Sequence, residues 1–239
     1  MPIAKEGLRE IALATVVLAL LAVLGIWLWW PAAIPIVVLW LWVLSFFRDP
    51  HRKRDFAPAE LCSPADGTIM DITELAEYPP IHEPAVRVGM FLSLFNVHIN
   101  RMPCAGKVLS VSHKPGHFLD ARDPRAGEQN ESTTLVLDPD CGLPGPVVVR
   151  QVAGRVARRI VCHAESGQHW PIGSRYGLIK FGSRTELVIP RRAGTEICVK
   201  VGDKVSGGIT VLARQTTTSR NAAEALLRPE ARITAGAKR

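Results

Sequence analysis

The 239-residue chain carries 29 Lys and Arg against 22 Asp and Glu, a formal net charge of +7, and is long enough for one soluble domain of ordinary size plus an added segment. Its five cysteines, Cys62, Cys104, Cys141, Cys162 and Cys198, form no CxxC pair; that excludes a regular disulfide framework and a structural zinc site, no metal site is indicated, and a reducing compartment suits the pattern. The positive charge accompanies no nucleic-acid motif, and beside an apolar segment it points to an anionic lipid surface.

That segment comes first. No charged residue occurs from Ile11 to Phe47. A hydrocarbon core about 30 Å thick needs roughly 20 apolar helical residues, so the run predicts two short spans, about 11–30 and 32–47. Trp29-Trp30-Pro31 marks the break, with Pro35 just beyond: tryptophan favours the membrane interface and proline ends a helix. A cleaved signal peptide would have a shorter apolar core and a small-residue cleavage site. Lys5 and Arg9 precede the run, and Arg48, Arg52, Lys53 and Arg54 follow it. By the positive-inside rule both flanks stay cytoplasmic, which makes residues 1–54 a hairpin anchor in the cell membrane and puts the rest on the cytoplasmic side.

Beyond Arg54, short runs rich in Val, Ile and Leu alternate with Gly, Pro and Asp: GTIMDIT, AVRVGMFLSLF, GKVLSVS, STTLVLD, PVVVRQVAG, RRIVCHA, TELVIP, TEICVKVG and ITVLAR. Such runs between turn formers read as strands, and they predict a mainly β, compact barrel or sandwich over residues 55–214. Residues 215–239 are Thr, Ala and Arg with little to bury, and read as a mobile tail.

Within the β region, Gly167-Gln-His-Trp-Pro-Ile-Gly173-Ser can be laid on Gly202-Asp-Lys-Val-Ser-Gly-Gly208-Ile. Each copy is a glycine turn, an apolar residue three positions on, a second glycine six positions on, then a strand. Hairpins of this form are common in lipoyl-like (hammerhead) folds, where glycine permits the positive φ of a tight turn. Ser174 occupies the place of Ile209, so architecture explains it. The other Gly-Ser-Arg, Gly182-Ser183-Arg184, has no such explanation. A serine hydroxyl held against the carbonyl before it can attack that carbonyl once a base takes its proton.

The ordered motifs FFRDP (46–50), SPADGTI (63–69), FNVHINRMP (95–103), KPGHF (114–118), NE (130–131), QVAGRVARRIV (151–161) and FGSR (181–184) resemble the phosphatidylserine decarboxylase family, most closely its short form of bacteria and archaea. The resemblance spans about Phe46 to Arg214. It implies self-cleavage between Gly182 and Ser183 into a β chain, Met1 to Gly182, and an α chain beginning with a pyruvoyl group derived from Ser183. The two chains of one precursor would form a heterodimer, with a higher oligomer compatible. The pyruvoyl carbonyl would form a Schiff base with the amine of phosphatidylserine and accept the electron pair as carbon dioxide leaves, giving phosphatidylethanolamine.

By position in the motifs, Asp66 and His98 are candidates for an Asp-His-Ser relay, in which a carboxylate fixes the tautomer of the proton-accepting histidine. Longer relatives carry a second histidine three residues after the first, where this chain has Arg101. Arg101 and Arg184 are expected to bind substrate, the guanidinium fork of Arg101 suiting a phosphate or carboxylate. His113, His117 and His163 stay open as alternative bases. His51, beside the membrane, and His169, in the repeat turn, read as incidental. Two other classes compete: a membrane-tethered lipoyl or biotinyl-like carrier, which would need a lysine at an exposed hairpin tip, usually as Met-Lys-Met, and a pyruvoyl decarboxylase of a soluble amino acid. No Met-Lys-Met occurs, and a soluble substrate gives no reason for a membrane hairpin.

Overall fold

The computed structural model describes residues 2–140, 143, 145–155, 159–180, 182–192 and 194–215; Cys141 and all but the first residue of the expected tail lie outside them. Two helices lead the chain: α1 (Leu8–Leu28) and α2 (Ala33–Phe46), joined by a 3-10 turn at Trp30–Ala32 that contains Pro31. Trp40 Nε1 donates to Thr15 Oγ1 at 3.0 Å across the hairpin, and Gly25 lets Ala32 and Ile36 close against α1. The segment Lys5–Trp27 has a mean hydropathy of 2.3, yet only 6% of it is buried. A helix apolar all round belongs either in a core or in lipid, and this one is not in the core. The sequence suggests spans of about 11–30 and 32–47, and the helices run over 8–28 and 33–46. With 21 residues, α1 extends about 32 Å, whereas α2 with 14 reaches about 21 Å at 1.5 Å per residue, short of a full hydrocarbon core.

The remainder is mainly β, as expected. In chain order the strands are β1 (Glu60–Cys62), β2 (Gly67–Tyr78), β3 (Glu83–Leu92), β4 (Ile99–Arg101), β5 (Gly106–Lys114), β6 (Ser132–Pro139), β7 (Val147–Val152), β8 (Arg159–Cys162), β9 (His169–Trp170), β10 (Arg175–Lys180), β11 (Ser183–Pro190), β12 (Thr195–Ile197), β13 (Lys204–Val205) and β14 (Val211–Gln215), with one short helix, α3 (Ala126–Gln129), before β6. Eight of them form a curled antiparallel sheet in the order β13-β2-β3-β11-β7-β6-β5-β9, flanked by β4-β10-β8 and β1-β14-β12. One core joins all three sheets: Leu61, Ile69, Met90, Met102, Leu135, Tyr176, Leu187 and Leu212 are buried together.

The glycine repeat is real, and it is half of a larger one. Gly167, Gly173, Gly202 and Gly208 all adopt positive φ, at 89°, 73°, 95° and 70°. Their partners repeat as well. Ile69 N donates to Asp203 O at 2.9 Å as Val108 N donates to Gln168 O at 2.8 Å; Gly208 N donates to Ser63 O at 2.8 Å as Gly173 N donates to Met102 O at 2.9 Å. Ser63-Pro-Ala-Asp-Gly-Thr-Ile69 is therefore the counterpart of Met102-Pro-Cys-Ala-Gly-Lys-Val108. The halves cross at the centre, where Arg101 N donates to Pro64 O and Cys62 N to Pro103 O, each at 2.8 Å. Ser174 does what its place in the repeat implies: its hydroxyl donates back to the Pro171 carbonyl and closes the turn.

A Cβ added at Gly202 would meet nothing within 4 Å, so only its backbone conformation opposes a side chain. Gly202→Ala is expected to lower stability by about 1–2 kcal/mol, read as a lower thermal midpoint of the detergent-solubilised protein with unchanged self-cleavage.

Candidate active site

Strand β11 lies between β3 and β7, and all eight of its residues are buried. Side chains alternate across a strand. Leu187 and Ile189 belong to the main core and Val188 to the apolar cluster on the other face, so Ser183 and Thr185 point to the core side and Arg184 and Glu186 away from it. Ser183 is fully buried, and its Oγ has no hydrogen-bond partner. Few buried hydroxyls are left unpaired, because the desolvation is then uncompensated.

The peptide before it is held in an unusual shape. Gly182 has φ of 59°, a conformation other residues adopt only under strain. A Cβ at Gly154 would overlap the Gly182 carbonyl oxygen, so the glycine of QVAGR is what lets that carbonyl occupy its place. Gly182 N donates to His98 Nε2 at 3.3 Å, and the other ring nitrogen, Nδ1, lies 2.9 Å from the Asn96 carbonyl oxygen. A carbonyl only accepts, so Nδ1 carries the proton and Nε2 keeps its lone pair toward Gly182. His98 is buried under the Phe46 ring, with centroids 4.3 Å apart. Burial brings its pKa down to about 4; the Asn96 carbonyl and the more distant charge of Asp66 pull the other way, and Arg48 reinforces the drop. The imidazole is therefore neutral at physiological pH and able to accept a proton.

Asp66 is placed differently from the expected relay. No hydrogen bond joins it to His98, whose Nδ1 already faces Asn96. The carboxylate is instead gripped by both terminal nitrogens of Arg52, Nη2 to Oδ2 at 2.8 Å, and by Gly207 N to Oδ1 at 2.8 Å. This hydrogen bond to Asp66 is the main cause holding the Arg52 guanidinium above its usual range. The counterpart of Asp66 in the other half of the repeat is Ala105, so the fold does not require a carboxylate here.

The two expected substrate arginines are both occupied. Arg101, which stands where longer relatives have their second histidine, donates to Gly173 O at 2.9 Å and Pro50 O at 3.0 Å and pairs with Asp49 at 3.4 Å. Arg184 donates to Glu186 Oε1 at 2.7 Å and pairs with Asp71 at 3.0 Å, on the face of the sheet opposite the Ser183 side chain. The alternative bases are elsewhere too. His113 contacts Thr133 and Glu131, His163 contacts Glu6, and His117 bridges by its backbone to Asn130. Among the described residues no group of His, Cys, Asp and Glu is arranged to hold a metal.

The quoted motifs contain further site residues that the sequence reading left unassigned. Asn100 donates to Thr185 Oγ1 at 3.2 Å and accepts from Gln151 Nε2 at 2.8 Å, all three buried on the Ser183 side of the sheet. Gln151 Oε1 has no partner. Asn130 ties Leu119 and the Ala153 carbonyl together with three 2.9 Å bonds, bracing the chain next to Gly154. Polar residues inside otherwise apolar strands were the available signal for Asn100 and Gln151.

A two-fold β domain of hammerhead hairpins, holding a buried Gly-Ser bond beside a neutral histidine, defines a self-processing enzyme precursor rather than a carrier. The comparisons give the class a family. A phosphatidylserine decarboxylase family model matches residues 39–213. The phosphatidylserine decarboxylase proenzyme of Rhodopirellula baltica is 44% identical over 216 residues, covering 90% of this chain and 88% of the relative. Those of Geotalea uraniireducens and Nitrosomonas europaea are 42% and 40% identical, over 88% of this chain and 95% and 94% of their own lengths. The chain belongs to the phosphatidylserine decarboxylase family.

Two outcomes follow from this geometry. Gly154→Ala must displace the Gly182 carbonyl and is expected to slow self-cleavage by about a hundredfold, seen as uncut chain in a denaturing time course. The second concerns pH. His98 has a folded pKa of about 4 against an ordinary 6.5, so the unfolded chain binds its proton first. Its neutral form stabilises the fold fully above pH 6.5, and this contribution is lost on acidification from 6.5 toward 4. The loss reaches about 3 kcal/mol; a thermal midpoint of the His98→Gln variant that falls as steeply as the parent's over that window would remove His98 as the cause.

Proposed function

We propose that this chain cuts itself between Gly182 and Ser183 and, with the pyruvoyl group so formed, decarboxylates phosphatidylserine at the cytoplasmic face of the membrane. The observation that carries the reading is the Ser183 hydroxyl: buried, without a partner, and following a positive-φ glycine whose amide lies against a neutral imidazole. His98 Nε2 takes the hydroxyl proton as Ser183 Oγ attacks the Gly182 carbonyl carbon. The Gly182–Ser183 C–N bond breaks, the Ser183 nitrogen gains a proton, and the peptide becomes an ester. Loss of the Ser183 α-proton then expels the Gly182 carboxylate, and water hydrolyses the resulting dehydroalanine to a ketone and ammonia.

Once formed, the pyruvoyl group supplies an electron sink for the carboxylate carbon of an amine-bearing substrate. Ser183 fits that role, because neither Gly154 nor Gly182 brings a side chain of its own against the Gly182 carbonyl. The neutral His98 is placed to hold and return a proton there. Asp66 acts as a positioning residue through Arg52 and Gly207, which hold the wall behind His98. Asn100 and Gln151 offer polar groups to the substrate head group; Arg184, spent on Glu186 and Asp71, does not, and Arg101 faces a separate basic cavity. Cleavage would leave the two chains interlocked as a heterodimer, since β11 remains paired with β3 and β7 and β14 with β1. The carrier reading loses its lysine: Lys180 is buried and donates to Glu10 and to the Glu6 carbonyl.

Denaturing mass spectrometry of purified protein tests the whole sequence of steps. Ser183→Ala should remain one full-length chain, Ser174→Ala should cut normally, and His98→Ala should cut at least a hundredfold more slowly. Cutting in Ser183→Ala would move the reactive centre elsewhere, and an uncut Ser174→Ala would mean that the turn hydroxyl, not Ser183, is the nucleophile.

A further inference from the structure

The chain leaving α2 borders an open cavity of about 500 Å³ lined by Arg52, Lys53, Arg54, Arg101, Arg175 and Asp55 together with the turn glycines Gly173 and Gly208, and by neither Ser183 nor His98. This is the size of a small-ligand site. Asp49 and Asp66 stand behind the guanidiniums, pairing with Arg101, Arg175 and Arg52. Five cations thus meet three carboxylates, an excess of two positive charges. Burial, and then the like charges of Arg52 and Arg175, push Arg101 below its usual range, and its Nε–H has no acceptor in the protein. Lys53 is exposed, and no hydrogen bond or ion pair among the described residues engages it. Cations packed together without full compensation are stabilised by an anion entering from outside.

Location decides which anion. Asp49, held by Arg101 and Arg175, is three residues beyond Phe46, so the chain places it within roughly 10 Å of the end of α2, about the depth of the head groups outside the hydrocarbon core. Guanidinium forks beside a mobile ammonium match a phosphodiester, and basic segments next to a membrane helix attract anionic lipid. We propose that this cavity binds the phosphate of an anionic phospholipid head group, at a site separate from the Ser183 centre.

The probe is short-chain phosphatidylglycerol, titrated at low salt onto the full-length protein in neutral detergent micelles. It has a phosphodiester but no amine, so its binding is independent of chemistry at Ser183, and the uncut Ser183→Ala protein should bind it as the parent does. Lys53→Ala should weaken binding by about fivefold while self-cleavage is unchanged; Lys53→Glu should weaken it further and Lys53→Arg should restore it. Equal affinity across the Lys53 variants would overturn the proposal. Inorganic phosphate binding as tightly as the lipid would overturn the lipid assignment in favour of a free-phosphate site, and an oligothymidylate that outcompetes the lipid would overturn it in favour of nucleic acid.

Discussion

A buried imidazole that stays neutral is the condition on which the rest of the site depends. Burial under Phe46 keeps the His98 ring neutral, the Asn96 carbonyl holds its one proton on Nδ1, and Nε2 is left as the acceptor that faces the Gly182 amide. Phe46 is the last residue of α2, so the helical hairpin is part of the packing around His98. Its base is fastened on several sides. Ala4 N donates to Phe47 O at 2.9 Å, Arg48 donates to Phe95 O at 2.7 Å, and Lys180 donates to Glu6 O at 2.9 Å. Lys180 is two residues before Gly182, so the hairpin is tied to the strand that leads into the Gly182–Ser183 peptide.

The two-fold repeat sorts architecture from chemistry. Where both halves carry the same feature, the fold demands it. Gly67 and Gly106 each press against a neighbouring strand's carbonyl, and the four turn glycines all take positive φ. Where the halves differ, something else is at stake. Asp66 against Ala105 is the clearest difference, and Arg101 against Cys62 is the second. Asp66 and Arg101 both lie in the wall between His98 and the basic cavity, coupled through Arg52 and Asp49. Asp66 closes one side of that wall by taking Arg52 and the Gly207 amide. Cys62, buried in the same crossing, has its thiol pushed up to about 12 by burial, which leaves it inert as a nucleophile.

Much of this was legible in the chain. The apolar run, the glycine spacing and the difference between Ser174 and Ser183 are local signals, and the structure carries each of them. The missing pieces are non-local. The Nδ1 contact of His98 is the exception: Asn96 is only two positions back, but the contact is to its backbone carbonyl, which the turn at Ser93–Asn96 orients and the residue type does not reveal. Nothing in FFRDP says that Phe46 covers a histidine some fifty positions on. Arg184 invited a substrate role by adjacency to Ser183, yet adjacent residues on a strand face opposite ways.

That alternation also explains why Arg184 belongs in the chain. Shifting a strand by one residue exchanges its two faces, and in β11 such a slip would bury Arg184 and Glu186 in the apolar core and turn Ser183 out of it. On their own face the charges are matched. Glu186 accepts from Arg184 and from Arg150 at 2.7 Å each, Arg150 also donates to Gly127 O at 2.8 Å, and Asp71 meets Arg184 at 3.0 Å and Arg87 at 3.6 Å. Gly89 lacks the side chain that would crowd the Arg184–Asp71 pair. Buried ion networks contribute little net stability, but a register that strands one of their charges costs several kcal/mol. Arg184 therefore fixes, from the far side of the sheet, the register that presents the Ser183 hydroxyl to the core side, where its oxygen has no hydrogen-bond partner.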